Sequence, residues 1–201
     1  MTSPLSRSNA FVSSVSRKMQ VVAAVLAMMA LGLSPNAAMS QDDADQKAEG
    51  VPGVVTAADG WDIHYTYWES PMGKEAPVVI LLHGKGQARL IWKALPLAKE
   101  LAKKQFAVIA VDLRKHGESK APENASVQAK SDKLSKFDYE GMVLGDLEAI
   151  KKFLYAEHQA LRLNMRKVGV VATDMSTAIA LNWAQADWSK TPFDDAPVAS
   201  A

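Results

Sequence analysis

Three runs of consecutive apolar residues constrain the fold of this 201-residue chain more than any other feature. They are PVVILL at Pro77–Leu82, FAVIAV at residues 106–111 and VGVV at residues 168–171. Apolar runs without polar alternation are typical of strands that are buried on both faces, as in parallel sheets. Segments with helical periodicity separate the runs, and strands that alternate with helices predict an α/β fold with helices on both faces of the sheet.

The remaining segments predict the elements around these strands. Residues 54–56 and 61–68 are rich in β-formers and flank an Asp-Gly turn, which indicates an N-terminal β-hairpin. Apolar residues at helical spacing predict helices over 92–104, 139–156 and 175–188. We expect Asp138 to cap the second of these helices and residues 121–136 to form a loop.

Composition excludes several classes of function. The formal net charge is +1, and no basic stripe marks a nucleic-acid surface. The chain has no cysteine, which excludes disulfides and thiolate metal sites, and its four histidines have no metal-binding helical spacing. We therefore expect no metal site, no cofactor and no nucleic-acid partner.

The first 40 residues have the three parts of a secretory signal. Arg7, Arg17 and Lys18 precede a 13-residue apolar run from Val21, and small residues follow it as far as Ser40. The run is shorter than the roughly 20 residues of a spanning helix, which favours a cleaved signal over an uncleaved anchor. We expect cleavage after Ser40, a secreted or periplasmic protein without a membrane span, and a disordered lead-in over 41–50.

Function in a parallel α/β sheet gathers where the strands end. The segments that follow the three apolar runs are HGKG at 83–86, DLRKHGES at 112–119 and ATDMSTA at 172–178. Together, in this order and on these elements, they resemble the motifs of the α/β-hydrolase superfamily, in particular its lipase and serine-aminopeptidase-like branch. The resemblance covers roughly residues 54–188.

The resemblance implies a role for each loop. It implies that the backbone N–H groups of Lys85 and Met175 form an oxyanion hole, where two amides stabilise a developing negative charge. It also implies that His83 and Gly84 shape the first loop. In the second loop, Lys115 stands where the family usually has glycine, and we expect that loop to be distorted. The residues to which the resemblance assigns a loop-stabilising network are Asp112, Arg114 and His116.

The third segment departs from the family pattern. Without a gap, Asp174 aligns with the nucleophilic serine of the family's sharp strand-to-helix turn, and the small residues Ala172 and Ser176 flank it. Three hypotheses follow: a lost nucleophile with the fold kept for binding a ligand or partner, an aspartate nucleophile as in haloalkane dehalogenases and epoxide hydrolases, or a nucleophile moved to Ser176. The Met175 context resembles the serine branch with its serine replaced.

The second departure concerns the rest of the catalytic machinery. The family takes its acid and its histidine from strands beyond this turn, but only 27 residues follow Asp174 and none is histidine. We therefore expect residues 51–201 to be a partial α/β-hydrolase domain, its N-terminal half, which is ester- or amide-hydrolase-like but inactive by itself. Val168 to Val171 would then form an apolar edge that a missing segment or a partner covers, and the pocket would remain open to a small-molecule ligand.

Overall fold

The computed structural model describes residues 49–191, and these form a five-stranded mixed sheet with helices on both faces. The expected signal peptide, most of the expected lead-in and residues 192–201 lie outside the described residues. The strand order is β1-β2-β4-β3-β5. The strands are β1 Val51–Thr56, β2 Asp62–Trp68, β3 Pro77–Leu82, β4 Ala107–Val111 and β5 Asn164–Ala172. The expected fold class is confirmed.

Strand pairing follows the pattern that the sequence predicts. Strands β1 and β2 form the antiparallel hairpin, and β2 also pairs antiparallel with β4. Strand β3 pairs parallel with β4 on one side and with β5 on the other. The two central strands consequently direct their carboxyl ends to the same edge of the sheet, where β5 also ends.

The apolar runs of β3 and β4 form the core because alternate residues face opposite layers. On one face, Ile80 and Ile109 pack in a cluster with residues of the long helix that precedes β5 and of the helix that follows it. On the other face, Leu81 and Val108 pack against a smaller cluster that includes Trp92 and Ala98. Each strand is therefore covered on both sides, as uninterrupted apolar runs require.

The helix expected over residues 92–104 is two helices, α1 Ile91–Ala94 and α2 Leu97–Lys103. The expectation of one helix was wrong because Pro96 stands at the N-cap of α2 rather than inside a continuous helix. Proline has no N–H to donate into a preceding turn, and it disfavours helical geometry in the residue before it.

The region from residue 121 to residue 159 is more helical than the sequence predicts. A short helix α3 Val127–Lys130 interrupts the expected loop, and α4 Lys136–Gly141 continues through the π-helical segment Met142–Asp146 into α5 Leu147–Gln159. Asp138 is not the N-cap of this helix. Ser135 takes that position, and Asp138 completes a capping box three residues later.

Strand β5 is longer than the apolar run that predicted it. It begins at Asn164, and its pairing with β3 is irregular near this end. Within the described range it pairs with β3 alone, so it forms one edge of the sheet. The exposed fractions of Val168, Val170 and Val171 are 38%, 37% and 36%. Helix α6 Met175–Trp188 follows this strand directly.

None of the helices within residues 49–191 combines the length and the apolar content that a membrane span needs.

Candidate active site

The turn between β5 and α6 holds Asp174 in a backbone conformation that few residues adopt. Its φ is 52° and its ψ is −123°, a region that disfavours a side chain. Ser176, the second residue of α6, fixes this geometry. Its fully buried hydroxyl lies 2.8 Å from Thr173 O and 3.0 Å from Leu82 O, and it accepts a hydrogen bond from Thr173 N. The sharp turn is thus tied to the end of β3.

The same contacts bear on the hypothesis that Ser176 is the nucleophile. Its side chain has no exposed surface, and its oxygen is engaged by Thr173 and Leu82 within the turn. A hydroxyl in that position has no access to a substrate.

The carboxylate of Asp174 lies against the loop that follows β3. The backbone N–H of Lys85 donates a hydrogen bond to Asp174 Oδ2 at 2.9 Å. This bond, then the amide of Met175, holds the pKa of the Asp174 carboxyl below its ordinary value, and the positive charge of Lys85 adds to the effect. The Met175 amide contributes to this lowering of the pKa although the Asp174 side chain makes no capping hydrogen bond at the start of α6. Of the two amides that the resemblance assigns to an oxyanion hole, the Lys85 amide thus donates a hydrogen bond to this carboxylate, and the Met175 amide adds to its electrostatic stabilisation.

Gly84 permits this close approach. A Cβ at that position would lie 3.2 Å from Asp174 Cβ and 3.0 Å from the side-chain oxygen of Gln87. Gln87 itself accepts a hydrogen bond from Gly84 N at 3.0 Å, which holds the loop in its turn. The sequence analysis did not single out Gln87, and its position three residues after Gly84 was the only available signal.

His83 is a structural side chain, as the sequence analysis expects. It is fully buried; its Nε2 accepts from Leu113 N at 3.2 Å, so its Nδ1 carries the proton and donates to Gly84 O at 2.8 Å. Burial lowers the pKa of His83. Both ring nitrogens are therefore engaged in joining the loops after β3 and β4, and neither is available as a base.

Asp112 connects the same two loops through an arginine that sequence reasoning missed. Its fully buried carboxylate accepts from Arg89 N at 2.6 Å, from the Arg89 guanidinium and from Glu118 N at 3.0 Å. Gly117 is needed here, because a Cβ at that position would lie 2.1 Å from Asp112 Oδ2. No motif marks Arg89; the only clue is that a buried carboxylate requires a cation.

Arg114 ties the loop after β4 to two other elements. Its guanidinium bonds to Asp146 at 2.7 Å and to Asp59, in the hairpin turn, at 2.7 Å, and it stacks 5.1 Å above the ring of Trp61. His116, which is also buried, donates to Arg114 O at 2.9 Å and lies 4.8 Å from the His83 ring. These contacts join the loop after β4 to carboxylates from distant segments.

Lys115 accepts a left-handed backbone conformation, with φ of 65°, where the family usually has glycine. Its side chain is only 5% exposed, and its ammonium donates to Asp138 Oδ2 at 2.9 Å and to Lys133 O at 3.1 Å. The expected distortion of this loop is therefore offset by a buried ion pair that holds the segment before α4.

A pocket of about 400 Å³ opens beside Asp174. Its apolar wall comes from α1 and the residue after it, and its polar floor comes from the loops after β3 and β5. The lining residues are Gly84, Lys85, Gln87, Ile91, Trp92, Leu95, Thr173 and Asp174.

Asp174 has no histidine among its polar partners in the part of the chain that the structure describes. Those partners are the amides of Lys85 and Met175 and the charge of Lys85. In that same range, no cluster of three or more histidine and carboxylate side chains is arranged to hold a metal ion. His158 lies on α5, where its Nδ1 contacts Leu163 O at 3.0 Å.

Comparisons with known proteins agree with this architecture. The model of the alpha/beta hydrolase fold family matches residues 77–194, more than half of the chain. The chain belongs to this family.

Similarity to individual proteins is partial. The chain is 43% identical over 58 residues to human protein phosphatase methylesterase 1, and 39% identical over 59 residues to the rat protein; either match covers under a third of this chain and 15% of the relative. Among solved structures, an esterase from Pyrococcus furiosus is similar with a TM-score of 0.51 and 21% identity, over 73% of this chain and 50% of that one. An epoxide hydrolase from Vigna radiata gives a TM-score of 0.48 at 24% identity, over 69% of this chain and 36% of that one. The chain therefore spans at most half the length of these relatives.

Proposed function

We propose that this α/β-hydrolase domain is a ligand-binding, hydrolase-like protein that does not by itself turn over esters or amides. One observation carries the proposal: the Lys85 amide donates its hydrogen bond to the Asp174 carboxylate. An oxyanion hole works only if its N–H groups are open to the oxygen on which charge develops. A fixed carboxylate there excludes that oxygen and repels its charge.

The chemistry of the side chain supports the same conclusion. A carboxylate that attacks a carboxylic ester would form an anhydride, which is a poor intermediate. Serine-type hydrolysis also needs a base within hydrogen-bond reach of the nucleophile. His83 is committed to Leu113 and Gly84, so it does not serve as that base.

The second candidate is an aspartate-nucleophile hydrolase. It is favoured by the strained backbone of Asp174 together with the amide that orients one of its two carboxylate oxygens. A carboxylate held in this way is suited to attack an alkyl carbon, such as that of an epoxide: the ring C–O bond breaks as the covalent ester forms, and the released oxygen takes up a proton from water. Without a base to activate water, that ester would accumulate on Asp174 rather than turn over.

We further propose that the protein is exported and that its mature chain begins near Gln41. The proposal is supported by the basic flank, the short apolar run and the small residues before the cleavage site.

One experiment separates the candidates. The full chain is mixed with an activated ester, p-nitrophenyl butyrate, and separately with styrene oxide; product release and intact mass are then recorded. We expect no burst of nitrophenol and no mass increase, and we expect Asp174→Ser to remain inactive because no base accompanies the new hydroxyl. Ester turnover above that of a matched surface variant, Asp62→Asn, would overturn the proposal. A styrene oxide adduct that disappears in Asp174→Asn would establish the aspartate nucleophile.

A further inference from the structure

The pocket beside Asp174 has an apolar wall and a polar floor. Ile91, Trp92 and Leu95 form the wall; Trp92 is almost fully buried, whereas the side chain of Leu95 is 57% exposed. A pocket of about 400 Å³ falls within the size range that holds small organic ligands. The wall therefore suits a ligand with an aliphatic or aromatic body.

The two loop amides of the floor are already engaged as donors. The Lys85 N–H is used by Asp174, and the Gly84 N–H is used by Gln87. An ionised carboxylate accepts about four hydrogen bonds, and the Lys85 amide occupies only part of that capacity. Asp174 is exposed and lines the pocket, so its remaining lone pairs face a bound ligand.

The one cation in the lining does not cancel this character. Lys85 is exposed, and its charge is carried on a long flexible side chain, so that its attraction to other exposed groups is weak. The Asp174 carboxylate, in contrast, is fixed by the loop amide. The negative charge is thus preorganised at the floor, and the positive charge is mobile.

We infer that this pocket binds small organic cations, with a protonated primary amine on the Asp174 carboxylate and an apolar body against Ile91, Trp92 and Leu95. The inference rests on the proposed function, since it requires that Asp174 acts as a binding group and that the oxyanion hole is closed. Anions of the same size are disfavoured because the Asp174 carboxylate repels them and the backbone amides of Gly84 and Lys85 are already engaged.

Three ligands with the same apolar body test the charge preference: n-hexylamine, hexanol and hexanoate. Their dissociation constants for the full chain are measured at neutral pH by ligand-observed NMR. We expect hexylamine to bind about fivefold more tightly than hexanol, the ratio that corresponds to a strong solvent-exposed ion pair, and hexanoate to bind most weakly. Equal affinities, tighter binding of hexanoate, or no binding of any of the three would overturn the inference.

Two substitutions locate the effect. Asp174→Asn keeps the shape and removes the charge, so hexylamine should weaken to the level of hexanol, whereas Asp62→Asn in the hairpin should leave all three affinities unchanged. Asp174→Ala opens the Lys85 amide and should invert the order in favour of hexanoate. An equal loss in the Asp62 and Asp174 variants would contradict the assignment.

A measurement on the unaltered protein covers the case in which an Asp174 variant does not fold. Hexylamine binding to the full chain should weaken as salt is raised from 20 mM to 500 mM, while hexanol binding should not; salt-independent amine binding would overturn the inference. The ester assay on the same sample separates the two proposals. Absence of both turnover and amine preference refutes the amine site alone, whereas ester turnover refutes the proposed function.

Discussion

Each fully buried carboxylate in the loops above the sheet lies against a cation from a different segment. Asp112 faces Arg89 and Asp146 faces Arg114, and all four side chains are at most 9% exposed. A buried charge without a partner is costly, so each pair is stable only as a pair. The Asp112 pair fixes the loop after β3, which carries Lys85, relative to the loop after β4, and the Asp146 pair fixes the loop after β4 relative to the helical segment before α5.

The Arg89–Asp112 pair makes a prediction for stability. Arg89→Met should lower the free energy of unfolding by about 3–5 kcal/mol because it leaves the Asp112 carboxylate buried and uncompensated. Urea unfolding measures the change. The double variant Arg89→Met with Asp112→Asn should recover part of the loss, and Lys103→Met on the surface of α2 should change stability by less than about 0.5 kcal/mol. A loss in Arg89→Met no larger than that of the Lys103 control would contradict this role.

The sequence motifs predicted one residue of each ion pair and missed its partner. The sequence motifs pointed to His83, Asp112, Arg114 and His116, which the structure places together in the loops after β3 and β4. The charged partners of Asp112 and Arg114 lie between 23 and 55 positions away in the chain and follow no spacing rule. A pairing of that kind becomes visible only when the sheet brings the segments together.

At the scale of secondary structure, the segment between β4 and α4 is fixed by one side chain. Lys115 extends from a left-handed turn and donates to Asp138, to Lys133 O and, at 3.5 Å, to Gln128 O. Burial alone would raise the pKa of Asp138, but the hydrogen bonds from Ser135 and Lys115 hold it below its ordinary value. The ion pair thus stabilises a left-handed turn that glycine would adopt more readily than lysine.

Replacement of Lys115 by methionine should destabilise the domain in a pH-dependent way. A carboxyl with a lowered pKa in the folded state stabilises the protein above its unfolded pKa of about 3.9, and this contribution is lost as the pH falls through the lower, folded value. Lys115→Met should therefore reduce stability at pH 7 by about 3 kcal/mol. The gap between Lys115→Met and the native protein should narrow below about pH 4. Urea unfolding at the two pH values checks this, and a loss that does not depend on pH would show that the ion pair is not the cause.

The elements themselves were predictable where periodicity decided them. The apolar runs located β3, β4 and β5, and the turn signal at Gly60 located the hairpin. The predicted helix boundaries were wrong where a local interaction determines the first residue of a helix, at Pro96 and at the Ser135 capping box. The site itself was predictable through its backbone, since Gly84 and Asp174 are where the motifs put them. The hydrogen bond between the two loops needed coordinates.

At the scale of the whole described domain, the most unusual feature is the edge formed by β5. Three of its valines are more than a third exposed, and within residues 49–191 the strand pairs on one side only. An exposed apolar edge invites pairing with another chain. We therefore propose that a strand from a partner or from a further segment of the same protein covers this edge.

The edge makes a prediction for solution behaviour. We expect the chain expressed from residue 41 to 201 to self-associate in sedimentation experiments and to unfold in urea with a shallow transition. Val170→Lys places a charge on the edge and should reduce the association, whereas Val127→Lys, at an exposed position in α3, should not. A monodisperse native monomer with a steep transition would contradict the expectation.

Export predicts a defined mature terminus. Intact mass of the protein from its native host should correspond to a chain that begins at or near Gln41, because the small residues before it suit signal cleavage. A soluble pool that retains residues 1–40 would contradict export.

The central claim is that the backbone N–H of Lys85 donates its hydrogen bond to the Asp174 carboxylate. Amide NMR measures that contact directly. In a pH titration of the ¹⁵N-labelled protein, the Lys85 amide resonance should shift with a midpoint below about 3.9, since it reports the protonation of a carboxyl whose pKa the same bond lowers. The shift should be absent in Asp174→Asn and unchanged in Asp62→Asn. A Lys85 amide that does not titrate in the native protein, or that titrates equally in Asp174→Asn, would show that the amide is free and that the oxyanion hole is open.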